Sequence, residues 1–205
     1  DSLSKAKLYA NKVLSFNNKN IHAYYVLADI AKKENKPLDY ENLLLTAQEK
    51  NKGEINQELA VAANLIKLYA LLKQPEKALL LAQDINNRYP NNSSSLSFLA
   101  RTELFNKREK SAIHTLEKLI NLDPQDVQHR LLLAQLLFNQ PEKEKYVLTL
   151  LDEVSSIAPN DPQILARKTL FLIKLKHFPK ALISANTIKK LIPDSGLGEQ
   201  FEGEI

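Results

Sequence analysis

The strongest constraint on this chain is a spacing. Ala78 and Ala112 lie 34 residues apart, as do Pro90 and Pro124, and Pro159 and Pro193. Leu65, Leu99 and Leu133 climb by the same step, and Ala100 and Ala134 repeat it once. Between these marks apolar residues recur at helical intervals, interrupted by polar turns such as Asn106-Lys107-Arg108-Glu109. The clearest unit, NNSSSLSFLARTELFNKREKSAIHTLEKLINLDP from Asn91 to Pro124, reads as two amphipathic helices joined by that turn. A unit this short cannot bury its apolar face alone, so it must stack on copies of itself. The expectation is an all-α solenoid of antiparallel helix pairs around one continuous core strip.

The register predicts a single array over residues 1–205. It opens with the second helix of an incomplete repeat at 1–20. Repeats follow at 21–58, 59–92, 93–126, 127–161 and 162–195, and a further incomplete one starts at 196–205. In the first complete repeat, Ala31 and Tyr40 pair a small residue with a large one, which keeps the summed volume. Asn51-Lys52-Gly53-Glu54 is expected to lengthen a turn, and one extra residue falls near Glu142-Lys143-Glu144-Lys145. Lys168 interrupts the leucine ladder, so the first helix of the last full repeat is expected to rotate slightly. Gly203 is expected at a small-residue slot. Pro90, Pro124, Pro159 and Pro193 close repeats, Pro37, Pro75, Pro141 and Pro179 fall between paired helices, and Pro162 opens one. None falls inside a predicted helix, where it would cost about 3 kcal/mol.

Composition narrows the function. Apolar residues make up 44% and charged residues 25%, ordinary for a globular chain, and the net charge of +4 is scattered, which argues against nucleic acid as partner. No apolar run is long enough to cross a bilayer, so no membrane insertion is expected of this segment. Cysteine is absent, which removes thiolate ligands and thiol nucleophiles. His22, His114, His129 and His177 lie in different units without metal-ligand spacing, and Ser93-Ser94-Ser95 reads as a helix start rather than a nucleophile. No glycine-rich phosphate loop exists. No cofactor, no metal and no enzymatic activity are expected.

Leu-Ala at 99–100 and 133–134, alanines at 78, 112 and 181, and prolines at 90, 124, 159 and 193 together resemble the tetratricopeptide repeat (TPR) family over nearly the whole chain. The resemblance implies a right-handed superhelix with a concave groove, used as a non-enzymatic protein-binding scaffold. The stretch PDSGLGEQFEGEI is similar to units of bacterial envelope arrays, including PEP-CTERM-type and exopolysaccharide-export lipoproteins. That likeness implies an alternative role as a structural spacer in a larger envelope protein for export, and a periplasmic or envelope location. Incomplete units at both ends favour weak self-association, with the edge Leu182, Ile188 and Ile192 covered only by residues 197–205.

Family members that clamp a C-terminal carboxylate use a Lys/Asn/Asn/Lys/Arg set. Here Tyr25, Asp29, Asn64, Ser94 and Phe98 stand in those slots, so only Asn64 matches and that clamp is not expected. The inward positions of the first helices are instead Asn64, Lys67, Phe98, Arg101, Phe105, Leu131, Gln135, Phe138, Arg167 and Lys174. Asp29 is the one acidic residue among such positions. Cations beside aromatic rings point to a partner segment with acidic and apolar side chains. Core packing of Phe98, Phe105 and Phe138, with solvated cations, is the other reading of the same residues.

Overall fold

The computed structural model describes residues 2–205. Among them are twelve α-helices and no strand: α1 (Ser2–Phe16), α2 (Ile21–Lys33), α3 (Pro37–Lys50), α4 (Ile55–Leu71), α5 (Pro75–Arg88), α6 (Ser93–Phe105), α7 (Glu109–Leu122), α8 (Val127–Leu137), α9 (Glu144–Ile157), α10 (Pro162–Lys174), α11 (Phe178–Leu191) and α12 (Leu197–Glu204). The chain divides into two compact units, residues 1–118 and 119–205. In the first, α1 to α6 pack each on the next in sequence order, with α4 also touching α6; in the second, α8 to α12 do the same, with α10 touching α12.

Helix starts follow two rules. Four first helices, α2, α6, α8 and α10, begin with a side-chain cap, and α4 does without one: Asn20 accepts from the Ala23 N–H, Asn92 from Ser95, Asp126 from His129, and Asp161 from Gln163 and Ile164. Each satisfies an amide that has no partner inside the helix. The second helices α3, α5 and α11 have proline in their first two positions instead, at Pro37, Pro75 and Pro179, where the missing N–H is no loss. The remaining prolines stand in turns or at the start of α10 and of two short 3-10 turns, and none lies in a helix interior.

Four of the turns between paired helices share one geometry. Asn35, Lys73, Lys107 and Lys176 all adopt positive φ, between 55° and 61°. Beside each, an amide reaches back five residues: Lys36 to Ala31, Gln74 to Tyr69, Arg108 to Glu103 and His177 to Leu172, at 2.8–2.9 Å. This is the Schellman arrangement, which usually recruits glycine at the left-handed position. Three lysines occupy it here, where a cation also suits the negative end of the helix dipole. Between α8 and α9 a 3-10 turn, Pro141–Lys143, takes its place.

The alanines expected at close contacts are there: Ala78, Ala100, Ala112, Ala134 and Ala181 are fully buried. Leucines fill the spaces beside them, with Leu65 and Leu133 also at 0% exposure. Several expectations are corrected. The turn 51–54 is no longer than the other connections between repeats; the extra length goes into α4, which starts at Ile55 and runs for 17 residues. Lys168 is half-buried and its ammonium reaches Asp152 at 3.0 Å. Gly203 has open space around it, and the close approach is at Gly198, where a Cβ would lie 2.7 Å from Lys189 Cβ and 2.9 Å from its backbone nitrogen. Ile188 and Ile192 pack with Phe201 of α12, while Leu182 stays 42% exposed.

Candidate functional site

In the first unit the first helices α2, α4 and α6 carry Tyr25, Asp29, Asn64, Lys67, Phe98, Arg101 and Phe105. Lys67 and Arg101 are exposed, and neither is ion-paired among the described residues. Asn64 is half-buried and donates to the Ala60 carbonyl at 3.0 Å. Tyr25 lies against it: burial pushes its hydroxyl pKa up, Asn64 offsets this in part, and Tyr40 adds to the rise. Phe105 is 42% exposed, whereas Phe98 packs against the Leu59, Ala62 and Ile85 cluster. The two rings thus divide between the surface and core readings.

A cavity of about 520 Å³ opens within this unit, between the end of α2, the start of α3 and the outer half of α4. Lys32, Asn35, Lys36, Pro37 and Tyr40 form one side; Asn64, Lys67, Leu68, Leu71 and Leu72 form the other. It lies where the Ala31 and Tyr40 pair falls, with Ala31 buried in the core and Tyr40 half-buried at the opening.

In the second unit, Gln135, Arg167 and Lys174 are exposed, and the two cations are unpaired among the described residues. Phe138 is half-buried with its ring 5.4 Å from that of Phe171, tilted by 59°, a favourable aromatic geometry. Leu131 departs from expectation. It is only 4% exposed, so it belongs to the core and presents no surface to a partner.

The acidic residues of the first helices account for the sign of the surface. Asp29 is exposed, but Glu58 is fully buried and ion-paired with Arg88, and Glu103 is buried and accepts from the Thr115 hydroxyl at 2.8 Å. Burial raises the Glu103 pKa, against the lowering effects of that hydrogen bond and of Arg108, His114 and Lys118. Glu41, on α3, accepts from Tyr69 Oη at 3.0 Å and from Lys77 Nζ at 3.1 Å. Burial, then the bond to Glu41, pushes the Tyr69 hydroxyl up to about 12. The sequence showed that these glutamates exist but not that they turn inward; the Glu58 carboxylate also takes the Gly53 N–H.

No group of three or more potential metal ligands comes together among the described residues. His129 faces the cap residue Asp126, and His177 faces Glu144 of α9 at 2.9 Å. No described helix is long and apolar enough to cross a membrane.

A family profile described as ChAPs (Chs5p-Arf1p-binding proteins) matches residues 48–191. The chain belongs to this family. No curated protein matches the sequence. Among solved structures, pilF of Pseudomonas aeruginosa is 19% identical with a TM-score of 0.66, covering 100% of this chain and 90% of that one. YrrB, described as a TPR protein with an unusual peptide-binding site, is 14% identical with a TM-score of 0.62, covering 95% and 97%. A tetratricopeptide repeat protein from Parabacteroides merdae is 11% identical with a TM-score of 0.68, covering 90% and 71%. At these identities the likeness establishes the fold, which is that of the tetratricopeptide repeat. Such a fold is in general a scaffold for protein interaction.

Proposed function

We propose that this ChAPs-family chain is a non-enzymatic scaffold that holds an extended or helical partner segment on the exposed surface of its first helices. The segment carries both acidic and apolar side chains. One observation carries this reading: the first helices of the five complete repeats, α2, α4, α6, α8 and α10, expose Lys32, Lys67, Arg101, Arg167 and Lys174 but only one acid, Asp29, because Glu58 and Glu103 are turned into the core and α8 and α10 carry none. A surface cleared of carboxylates in this way attracts an acidic segment, with Phe105 and part of Phe138 as apolar contacts. The family name refers to binding of Chs5p and Arf1p, and YrrB is described by its peptide site, so a protein partner suits the chain as well.

The test is a double charge reversal, Arg101→Glu with Arg167→Glu. Both side chains are exposed, so helicity and melting temperature should hold while partner capture falls, and wild-type capture should weaken as salt rises. Unchanged capture would contradict the proposal. A wild-type chain that retains nothing would instead fit the spacer role in an envelope array.

A further inference from the structure

The cavity between α2, α3 and α4 differs chemically from two other openings among the described residues. Around Lys7, Asn11 and Asn42, a 330 Å³ opening is also lined by Glu34 and Asp39, so its charge is mixed. Another, beside α9 and α11, contains Lys168 and Lys180, but Asp152 pairs with both, at 3.0 and 3.5 Å. The α2–α4 cavity has three lysines in its lining and no acid. One of them, Lys36, is engaged with Glu34 at 2.6 Å. Lys32 and Lys67 remain, one on each side, and neither is ion-paired among the described residues.

Its apolar content is equally marked. Leu71 is 76% exposed and Leu72 39% exposed, with Pro37 and Leu68 beside them. An apolar wall left open to water within a concavity favours an apolar occupant, and the volume lies in the range of pockets that enclose a ligand group. Asn35 and Asn64 add amides that can pair with a polar backbone.

We infer that this cavity is the anchor point of the binding surface, taking a partner segment in which one large apolar side chain is flanked by carboxylates. The apolar side chain sits against Leu68, Leu71 and Leu72, and the two carboxylates meet Lys32 and Lys67 on opposite sides. Because acid stands on both sides of the apolar residue, the occupant is an internal stretch of a protein chain rather than a chain end. This inference rests on the binding-surface reading above and narrows it to one place and one pattern.

The test uses the whole chain and a labelled nonapeptide, Gly-Ser-Gly-Glu-Leu-Glu-Gly-Ser-Gly, followed by fluorescence anisotropy. Two control peptides replace both glutamates by glutamine, or the leucine by serine. The parent peptide should bind, and each control should bind at least about tenfold more weakly. Lys67→Glu should weaken the parent peptide by about tenfold or more, and Leu71→Ser by several-fold, with unaltered melting curves because both side chains are exposed. Equal binding of the glutamine peptide, equal binding of the serine peptide, or indifference to Lys67→Glu would each overturn the inference. So would a parent peptide that fails to bind at millimolar concentration. Arg101→Glu separates the two levels: partner capture lost with Arg101→Glu and Arg167→Glu but indifferent to Lys67→Glu keeps the binding surface and rejects this cavity as its anchor.

Discussion

The two compact units bury polar groups in opposite ways. Residues 2–118 enclose three carboxylates: Glu41 against Tyr69 and Lys77, Glu58 against Arg88, and Glu103 against Thr115. Residues 119–205 enclose no carboxylate among the described residues. Their buried polar groups are Arg130 and the neutral Thr169 and Ser184, whose hydroxyls lie 2.8 Å apart. Arg130 donates to the Asp126 carbonyl at 2.8 Å, to the Asp123 and Ile120 carbonyls at 3.4 Å, and to Glu153 at 3.0 Å. In the first unit two of the buried carboxylates, Glu41 and Glu58, meet cations, whereas in the second a buried cation ties off carbonyls around the end of α7. The difference teaches why these first helices present a basic surface: in the first unit Glu58 and Glu103 are turned inside and only Asp29 stays exposed, and in the second no acid occurs on α8 or α10.

This contrast can be broken at its strongest point first. Arg88→Met leaves Glu58, at 0% exposure, as a buried charge without its partner, and should destabilise the protein by about 3–5 kcal/mol in urea unfolding. Adding Glu58→Gln should recover much of the loss. A double variant no more stable than Arg88→Met would show that the ion pair is not what holds this site. In the second unit, Arg130→Met should cost about 2 kcal/mol through its orphaned carbonyls, and Arg130→Lys should not restore the loss because an ammonium lacks the fork.

The next effect depends on pH. Glu103 has a folded-state pKa above the ordinary glutamate value of 4.5, so its protonated form favours the fold. That contribution is complete below 4.5 and is lost as pH rises through the raised value. Glu103→Gln should raise the melting temperature at pH 7, give no gain in more acid solution, and flatten the slope between. A variant that follows the wild-type curve in parallel would refute this account. Asp126 runs the other way: the hydrogen bonds from His129 outweigh burial and hold its carboxyl below 3.8, so it contributes stability above that value and loses it on acidification.

The smallest effect separates the turns. Lys107→Gly places glycine at a left-handed residue and should stabilise by about 1 kcal/mol. Asn139→Gly, in the α8–α9 connection where φ is not positive, should give no gain.

Much of this fold was legible because it follows from spacing. Alanines 78, 112 and 181 and the nine prolines each had one place to go, and burial at 0% or a helix boundary followed from excluded volume and the missing N–H. What was not legible depends on partners distant in sequence. Lys73, Lys107 and Lys176 in left-handed turns give no glycine signal. Glu58 and Arg88 are 30 residues apart, and nothing local says that they meet. Gly198 looks like any glycine until Lys189 stands beside it. Of the candidate surface, the exposed cations were legible from helical phase; Leu131 and Phe98 were not, because the same phase places a residue at a boundary that neighbouring helices cover or leave open.

The central claim is that the partner lies on the first helices, with the start of α3 contributing one wall of the anchor cavity, and not on the exposed surface of α5 and α11. Because the chain has no cysteine, single cysteines can carry a photo-crosslinker to chosen positions. Lys67→Cys, Arg101→Cys and Arg167→Cys sample exposed positions of α4, α6 and α10; Leu80→Cys and Ile183→Cys sample exposed positions of α5 and α11. The account predicts adducts between the chain and its captured partner from the first three positions and none from the last two. Adducts confined to Leu80→Cys and Ile183→Cys would contradict it.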